Sequence, residues 1–572
     1  MWSRIACASL LLGGAIASGC SDSPVAAIAD TTKTNNNNAT TACTSPLTLT
    51  VGQVTTGVTG GSVCVGGGSS GAEYALIPYY GSTSAVSSTT VSFTAAGTAS
   101  ASAAPELVPS ESPSFDIRSA SAPPFTNSYP RSFAFDRSLR RQERSALSPL
   151  IAGARSAMRR SPSGAHFDAI PSNPVVGQIL RLNANSDSAC TAPDYRGGRV
   201  VAITNRAIVV ADTLNPSGGY SDDEYASLGV SFDTLVDPLD RAAFGDPSDI
   251  DHNGKIVLFF TKAVNDLTPK TSTSYVGGFF DGRDLFPTAS TVDFDGCAGS
   301  NVGEMFYVMV PDPTRGGAFA KNNVASEVLG TLAHEYQHLI NAARRMYVNT
   351  QATDFEEVWL NEGLSHIAEE LLFYRVSGLA PRANLDGTTI RSSSAYVTAF
   401  NNYQSDNIGR YREFLLSPTK YSPYSDNDSL ETRGATWAFL RTAADNAATS
   451  DGDIWFRLVN STTEGVPNLR NVFGTTVTTQ LRDWSTSVLT DDLSGVASTY
   501  QQPSWNYRSV FAALGTSVFP IATVAMTTGA RSVSLVPGAA AYTRFAVSAG
   551  GTASVSWTTP STQVQFTLVR TK

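Results

Sequence analysis

Two histidines four residues apart, with a glutamate directly after the first, restrict this chain more than anything else in it: His334-Glu335-Tyr336-Gln337-His338. The chain has only five histidines, at 166, 252, 334, 338 and 366, so the pattern is improbable as an accident. Residues 323–346 contain no Pro and one Gly, and Val324, Val328, Leu332 and Leu339 form an apolar stripe that predicts a helix. Positions i and i+4 share one helix face, so both imidazoles can meet one metal ion. Glu335 sits about 100° further round, where its carboxylate reaches a water held by that metal. Imidazole nitrogen suits Zn2+, and three protein ligands leave a fourth position for water, whose pKa falls to about 7. Glu335 is then the expected catalytic base, passing the water's proton to a leaving amine.

The third ligand must come from elsewhere. A HExxHxxGxxH arrangement needs Gly at 341 and His at 344, and this chain has Asn341 and Arg344. Residues 354–376, DFEEVWLNEGLSHIAEELLFYRV, predict a second helix, with Asp354 as its cap and acidic residues in its first turn. An antiparallel return brings Glu362 back to the first helix and completes a His-His-Glu set. Glu356 and Glu357 fall in the expected exposed first turn and are weaker choices. His366 shares a face with Glu362, as a residue that orients a ligand from behind, an alternative ligand or a polar neighbour of the cleft, and Glu369 is a similar case.

HEYQHLIN followed by VWLNEGLSHIAEE resembles the hyicolysin-type neutral zinc metallopeptidases, within the gluzincin-like group whose third zinc ligand is a glutamate. The runs SDIDHNGKIVLFF, YVGGFFDGRDLFP and SNVGEMFYVMVPDP fit the same pattern, so the resemblance covers roughly residues 215–510. It implies His334, His338 and Glu362 as zinc ligands, Glu335 as base, and the 305–310 run as an edge strand to which an extended peptide adds. His366 departs from the Asp that thermolysin-like relatives often carry there. The oxyanion-stabilising group has only guesses, Tyr396, Tyr403 and Arg433. The loop from Asp249 to Gly254 starts like an EF-hand, a weak Ca2+ candidate, but its twelfth position is Phe260 rather than Glu, and a turn into a buried strand fits better.

The first twenty residues read as an expected export signal. Arg4 precedes a short apolar run, too short to span a bilayer, and Ala17-Ser18-Gly19-Cys20 resembles a bacterial lipobox with Cys20 as the lipidation site. The expected setting is the bacterial cell envelope or the extracellular space, with a membrane partner only through the lipid. Four further cysteines, Cys43, Cys64, Cys190 and Cys297, suggest two disulfides, with Cys43–Cys64 and Cys190–Cys297 favoured because each staples one region. Lys plus Arg number 40 against 49 Asp plus Glu, a net charge of −9 that offers no basic face to nucleic acid.

The expected fold is multidomain: an α+β zincin-like core with an active-site helix, flanked by small all-β, sandwich-like N- and C-terminal domains. Composition shifts divide the chain into a signal (1–20), a flexible tether (21–42), a β-sandwich-like domain (43–100), an Arg/Ser/Pro-rich segment (101–171), a β-rich lead-in (172–212), the catalytic domain (213–515) and a C-terminal β-domain (516–572). The arginines at 137, 140, 141, 144, 155, 159 and 160 read as a solvated linker helix, with a propeptide or processing site as the alternative. The expected activity is zinc-dependent endopeptidase action on extracytoplasmic proteins or peptides. The alternatives are an aminopeptidase, for which GEMFY at 303–307 is only a faint echo of the N-terminus anchor, and a surface-binding lipoprotein using a peptidase scaffold.

Overall fold

The computed structural model describes residues 43–102, 133–160, 170–186, 190, 191, 193–269, 272, 274–425, 427–515 and 519–572. Cys20, with the lipidation expected there, lies outside the described residues, as do the signal and the tether.

Strands β1 (Val54–Thr56), β2 (Ser62–Gly66), β3 (Ala72–Tyr80) and β4 (Thr89–Ala96) precede two helices, α1 (Phe133–Gln142) and α2 (Ile151–Arg160). Next come β5 (Ile179–Asn183), β6 (Tyr195–Ile203), β7 (Ala207–Asp212), β8 (Ile256–Phe260), β9 (Gly278–Phe279) and β10 (Met305–Val308). A mostly helical stretch follows. The chain then closes with β11 (Val524–Ala525), β12 (Gly529–Leu535), β13 (Thr543–Val547), β14 (Thr552–Thr558) and β15 (Val564–Arg570).

The first four and last five strands form one sandwich. One sheet runs β1-β15-β3-β13-β11 and the other β12-β4-β14-β2. β4 alternates as a half-buried strand should, with Val91, Phe93 and Ala95 inward and Thr90, Ser92 and Thr94 outward. β3 is buried along all nine residues. Tyr74 and Leu76 face the sandwich core, while Ala75, Ile77 and Tyr79 pack into the core of the central region. The expectation of separate N- and C-terminal β-domains is thus corrected. Alternating hydrophobicity specifies a buried face, but not which distant strand will pair with it. The structure joins Cys43 to Cys64 and Cys190 to Cys297, with Cα–Cα distances of 5.4 and 4.6 Å.

The central region is built on a six-stranded sheet ordered β5-β6-β7-β8-β10-β9. β7, β8 and β10 are parallel neighbours, and β9 pairs antiparallel with β10 at the edge. Two expectations change here. The lead-in of 172–212 is no separate unit, because β5, β6 and β7 supply half of this sheet. The 305–310 run is not at the edge either, because β9 covers β10. With only Gly278 and Phe279, β9 had too little pattern to be read as a strand.

The arginine-rich segment also differs from a solvated linker. Arg140 and Arg155 are buried, and Leu139, Leu147, Ile151 and Ala154 pack into the core. Arg155 donates to the carbonyls of Met346 at 2.6 Å, Thr350 at 3.0 Å and Ala352 at 2.8 Å, and also to that of Arg345. A guanidinium with five donors can be buried when carbonyls surround it, and composition alone cannot reveal that. Among the described residues, no helix is long and apolar enough to cross a membrane.

Candidate metal centre

The HEYQH helix runs Lys321–Ala343 and is buried almost continuously from Thr331 to its end. On its far side the Tyr336 hydroxyl donates to Asp237 at 2.8 Å, which fixes its rotation. The second helix runs Val358–Ser377 and ends on Gly378 in the left-handed conformation (φ 73°). It starts four residues later than expected, and Asp354 does not cap it. Glu356 is buried against Arg345 at 2.6 Å rather than exposed in a first turn. Ser365 ties the two helices together by donating to Gln337 at 2.7 Å.

This pairing brings His334, His338 and Glu362 together, with one donor atom from each within 4.8 Å of the others. The two Nε2 atoms are 3.2 Å apart. Glu362 Oε2 lies 3.5 Å from His334 Nε2, and Oε1 lies 3.6 Å from His338 Nε2. Tetrahedral zinc with bonds of about 2.05 Å spaces its ligand atoms by roughly 3.3 Å, so the triangle has the size of a zinc site.

The hydrogen-bond pattern makes the same point. His334 Nδ1 lies 2.9 Å from Glu369 Oε1, and His338 Nδ1 lies 3.0 Å from Asn361 Oδ1. Each acceptor draws a ring proton to Nδ1, which turns the two Nε2 atoms toward each other and toward Glu362. Both Glu362 oxygens are fully buried, and the nearest cation to them is Arg433, with Nη1 3.0 Å from Oε2. A buried, electron-rich triangle of this kind is what a divalent cation stabilises, and the residues fit zinc.

Glu335 accepts from the backbone N–H of Phe280 at 2.9 Å, directly after β9. Burial raises its carboxyl to about 7, against the opposing pull of His334 and Arg140. Burial also pushes His334 down, but Glu362, Glu369 and Glu335 outweigh it and carry the ring to about 9. β9 can lie this close because of Gly278, where a Cβ would come within 2.7 Å of Thr331 Cγ2 and of the Tyr307 carbonyl oxygen.

Of the residues expected behind the ligands, Glu369 meets His334 directly. His366 does not join the ligand triangle. Its Nδ1 faces Glu369 at 3.4 Å and Arg410 at 3.3 Å, and burial together with Arg410 depresses it to about 3. His334, His366 and Glu369 also cluster within 4.8 Å, but Glu369 is already engaged with His334 Nδ1.

Of the three guesses for an oxyanion partner, Arg433 borders the site and the two tyrosines do not. Arg433 Nη1 is 3.0 Å from Glu362 Oε2, and Asp428 holds the guanidinium by contacts of 2.8 and 2.9 Å. Sequence reading missed Tyr275, Arg410, Asp136 and Arg140, all of which lie at or beside the centre. They are scattered along the chain, and only the YVGGFF run hinted at one of them.

The calcium reading of residues 249–254 gains no support. Asp249, Asp251 and Glu304 do cluster. However, Asn253 occupies both Asp251 oxygens, Ser248 and the Ile250 N–H hold Glu304, and Phe260 is buried in β8.

No family model matches the chain. It is 32% identical over 249 residues to the neutral metalloprotease ShpI of Staphylococcus hyicus, across 43% of this chain and 50% of that protein. The chain thus spans about half the length of this curated relative, and the likeness supports kinship with the neutral zinc metallopeptidases.

Proposed function

From kinship with a neutral metalloprotease and a buried His-His-Glu triangle, we propose that this chain is a zinc-dependent endopeptidase acting on proteins or peptides outside the cytoplasm. The region around the centre is read as a zincin-like core, in which the helix of His334 and His338 packs beside a sheet whose edge strand leads directly to the Phe280 contact with Glu335. The observation that carries the reading is the pair of facing Nε2 atoms 3.2 Å apart, with a buried carboxylate 3.5 and 3.6 Å from them.

Zinc held by His334, His338 and Glu362 would supply Lewis acidity, acidifying water and polarising a peptide carbonyl. Glu335, buried and raised to about 7, takes a proton from the attacking water and delivers it to the nitrogen of the breaking C–N bond. Glu369 and Asn361 hold the two imidazoles in the tautomer that turns Nε2 inward. Arg433 is the nearest cation for the oxygen that gains charge. β9 offers an edge to which an extended substrate can add, as an endopeptidase needs.

The aminopeptidase alternative needs an acidic anchor for a free N-terminus beside the metal. Glu304 of GEMFY is engaged with Ser248 and Ile250 instead, which favours the endopeptidase. The two disulfides suit an oxidising, extracytoplasmic compartment, and the lipid on Cys20 remains part of the proposal. The test is an internally quenched peptide with a blocked N-terminus, followed by mass spectrometry of the products. Internal cuts that a zinc chelator abolishes are expected. Release of single residues from unblocked peptides alone would move the reading to an aminopeptidase, and chelator-insensitive cutting would remove zinc from it.

A further inference from the structure

The centre is constricted, and part of what narrows it is the arginine-rich helix α1. Beside His334 and Glu335 a cavity of about 10 Å³ remains, bordered by Asp136, Tyr275, His366, Arg410 and Arg433. That is space for about one water and none for a peptide.

Three side chains of α1, and a fourth just beyond it, take positions that a substrate would need. The Asp136 carboxylate lies 3.2 Å from Arg433 Nη1, the same nitrogen that lies 3.0 Å from Glu362. Arg140 reaches to 3.9 Å from Glu362 Oε1 and donates to the Phe280 carbonyl at 2.6 Å. Glu143, in the turn after α1, accepts from the Gly282 N–H at 2.7 Å and pairs with Arg140. Phe135 packs edge-on against Phe279 of β9, with centroids 5.5 Å apart. The carbonyl at 280 and the N–H at 282 follow directly on the edge strand, and an extended peptide joining that edge would use groups of this kind. Side chains of this same chain hold them, and an anion rests on Arg433, the cation nearest Glu362.

We propose that α1 is an inhibitory plug: it occupies the substrate cleft, the chain as folded is latent, and peptide gains entry only when α1 is displaced. The proposal rests on the peptidase reading above. α1 mimics a substrate at two points. Asp136 stands where carbonyl oxygen charge would meet Arg433, and Arg140 with Glu143 stand in for the backbone of an added strand. Arg159 and Arg160, exposed at the end of α2, provide a dibasic position at which a trypsin-like enzyme could cut and loosen the plug.

The experiment compares the zinc-loaded full chain with Asp136→Asn/Arg140→Gln in two assays: the rate at which 1,10-phenanthroline strips the zinc, and cleavage of a quenched peptide. The plug predicts that the variant loses zinc at least about tenfold faster and cleaves at least about tenfold faster, with a similar gain in wild type after limited trypsin treatment. A factor of ten corresponds to about 1.4 kcal/mol of barrier. Equal stripping rates, or a wild-type chain shown intact by mass that cleaves as fast as the variant, would overturn it. If the double variant does not fold, Phe135→Ala, which loosens only the Phe279 contact, gives the same comparison in graded form. Unequal stripping with no cleavage in any state counts against the peptidase reading and not against the plug.

Discussion

At the scale of single residues, the account depends on where protons sit. Glu369 accepts from His334 Nδ1, so it sets the tautomer that frees Nε2. Glu369→Gln should weaken zinc binding by about 10- to 100-fold without removing a ligand, measured by competition with a chromogenic chelator. A second residue gives a pH signature away from the metal. Burial raises Asp251 to about 8, and Glu304, close by, to about 7. Between their ordinary values near 4 and these folded values, the native state holds protons that the unfolded chain has released. Their contribution is therefore fully present below about pH 4 and is lost as pH rises towards 8. The melting temperature of Asp251→Asn should fall less steeply across that window than that of wild type, and an equal slope would show that Asp251 is ionised when folded. The sequence singled out His334, Glu335, His338 and Glu362 as candidates because helical spacing converts positions into directions. It could not reveal Arg410, Asp136 or Arg140, since an arginine that will be buried against carboxylates looks the same in sequence as one in water.

At the scale of elements, close helix crossings hold the centre in shape. Residues 430–445 form the helix that carries Arg433, and residues 405–416 form the helix that carries Arg410. They cross at Gly434, where a Cβ would come within 2.2 Å of the Arg410 carbonyl carbon and 2.3 Å of the Tyr411 nitrogen. Backbone on the other side cannot rotate away. Gly434→Ala should therefore cost about 1–3 kcal/mol, seen as a lower melting temperature, and should also weaken activity because it shifts Arg433. An unchanged melting temperature would mean that the crossing is looser than the geometry states. The HEYQH helix was legible from its apolar stripe. β9 was not, because two residues carry no periodicity and what makes them an edge strand is the Tyr307–Phe279 pairing from another part of the chain.

At the scale of the whole molecule, the two β-rich ends are one structure. β15 pairs with β3 from Val564–Tyr80 to Arg570–Tyr74, and β4 lies between β12 and β14. Removing residues 519–572 should leave the apolar faces of β3 and β4 uncovered and give an insoluble or aggregated product, tested by expression and size-exclusion chromatography. A soluble, monomeric, zinc-binding truncation would restore the picture of a separable C-terminal domain. Alternation and glycine turns made the strands visible at both ends of the sequence. Their union was invisible because pairing across the whole chain leaves no local trace.

The central claim is that His334, His338 and Glu362 hold a catalytic zinc with Glu335 as the base. The most direct measurement is zinc content and peptide hydrolysis on the same samples, wild type beside Glu335→Gln, both after limited proteolysis following Arg160. The account predicts about one zinc in each and a loss of at least about 100-fold in kcat/KM in the variant. Zinc in both with equal hydrolysis would remove Glu335 from the chemistry, and absence of zinc from wild type would contradict the metal centre itself.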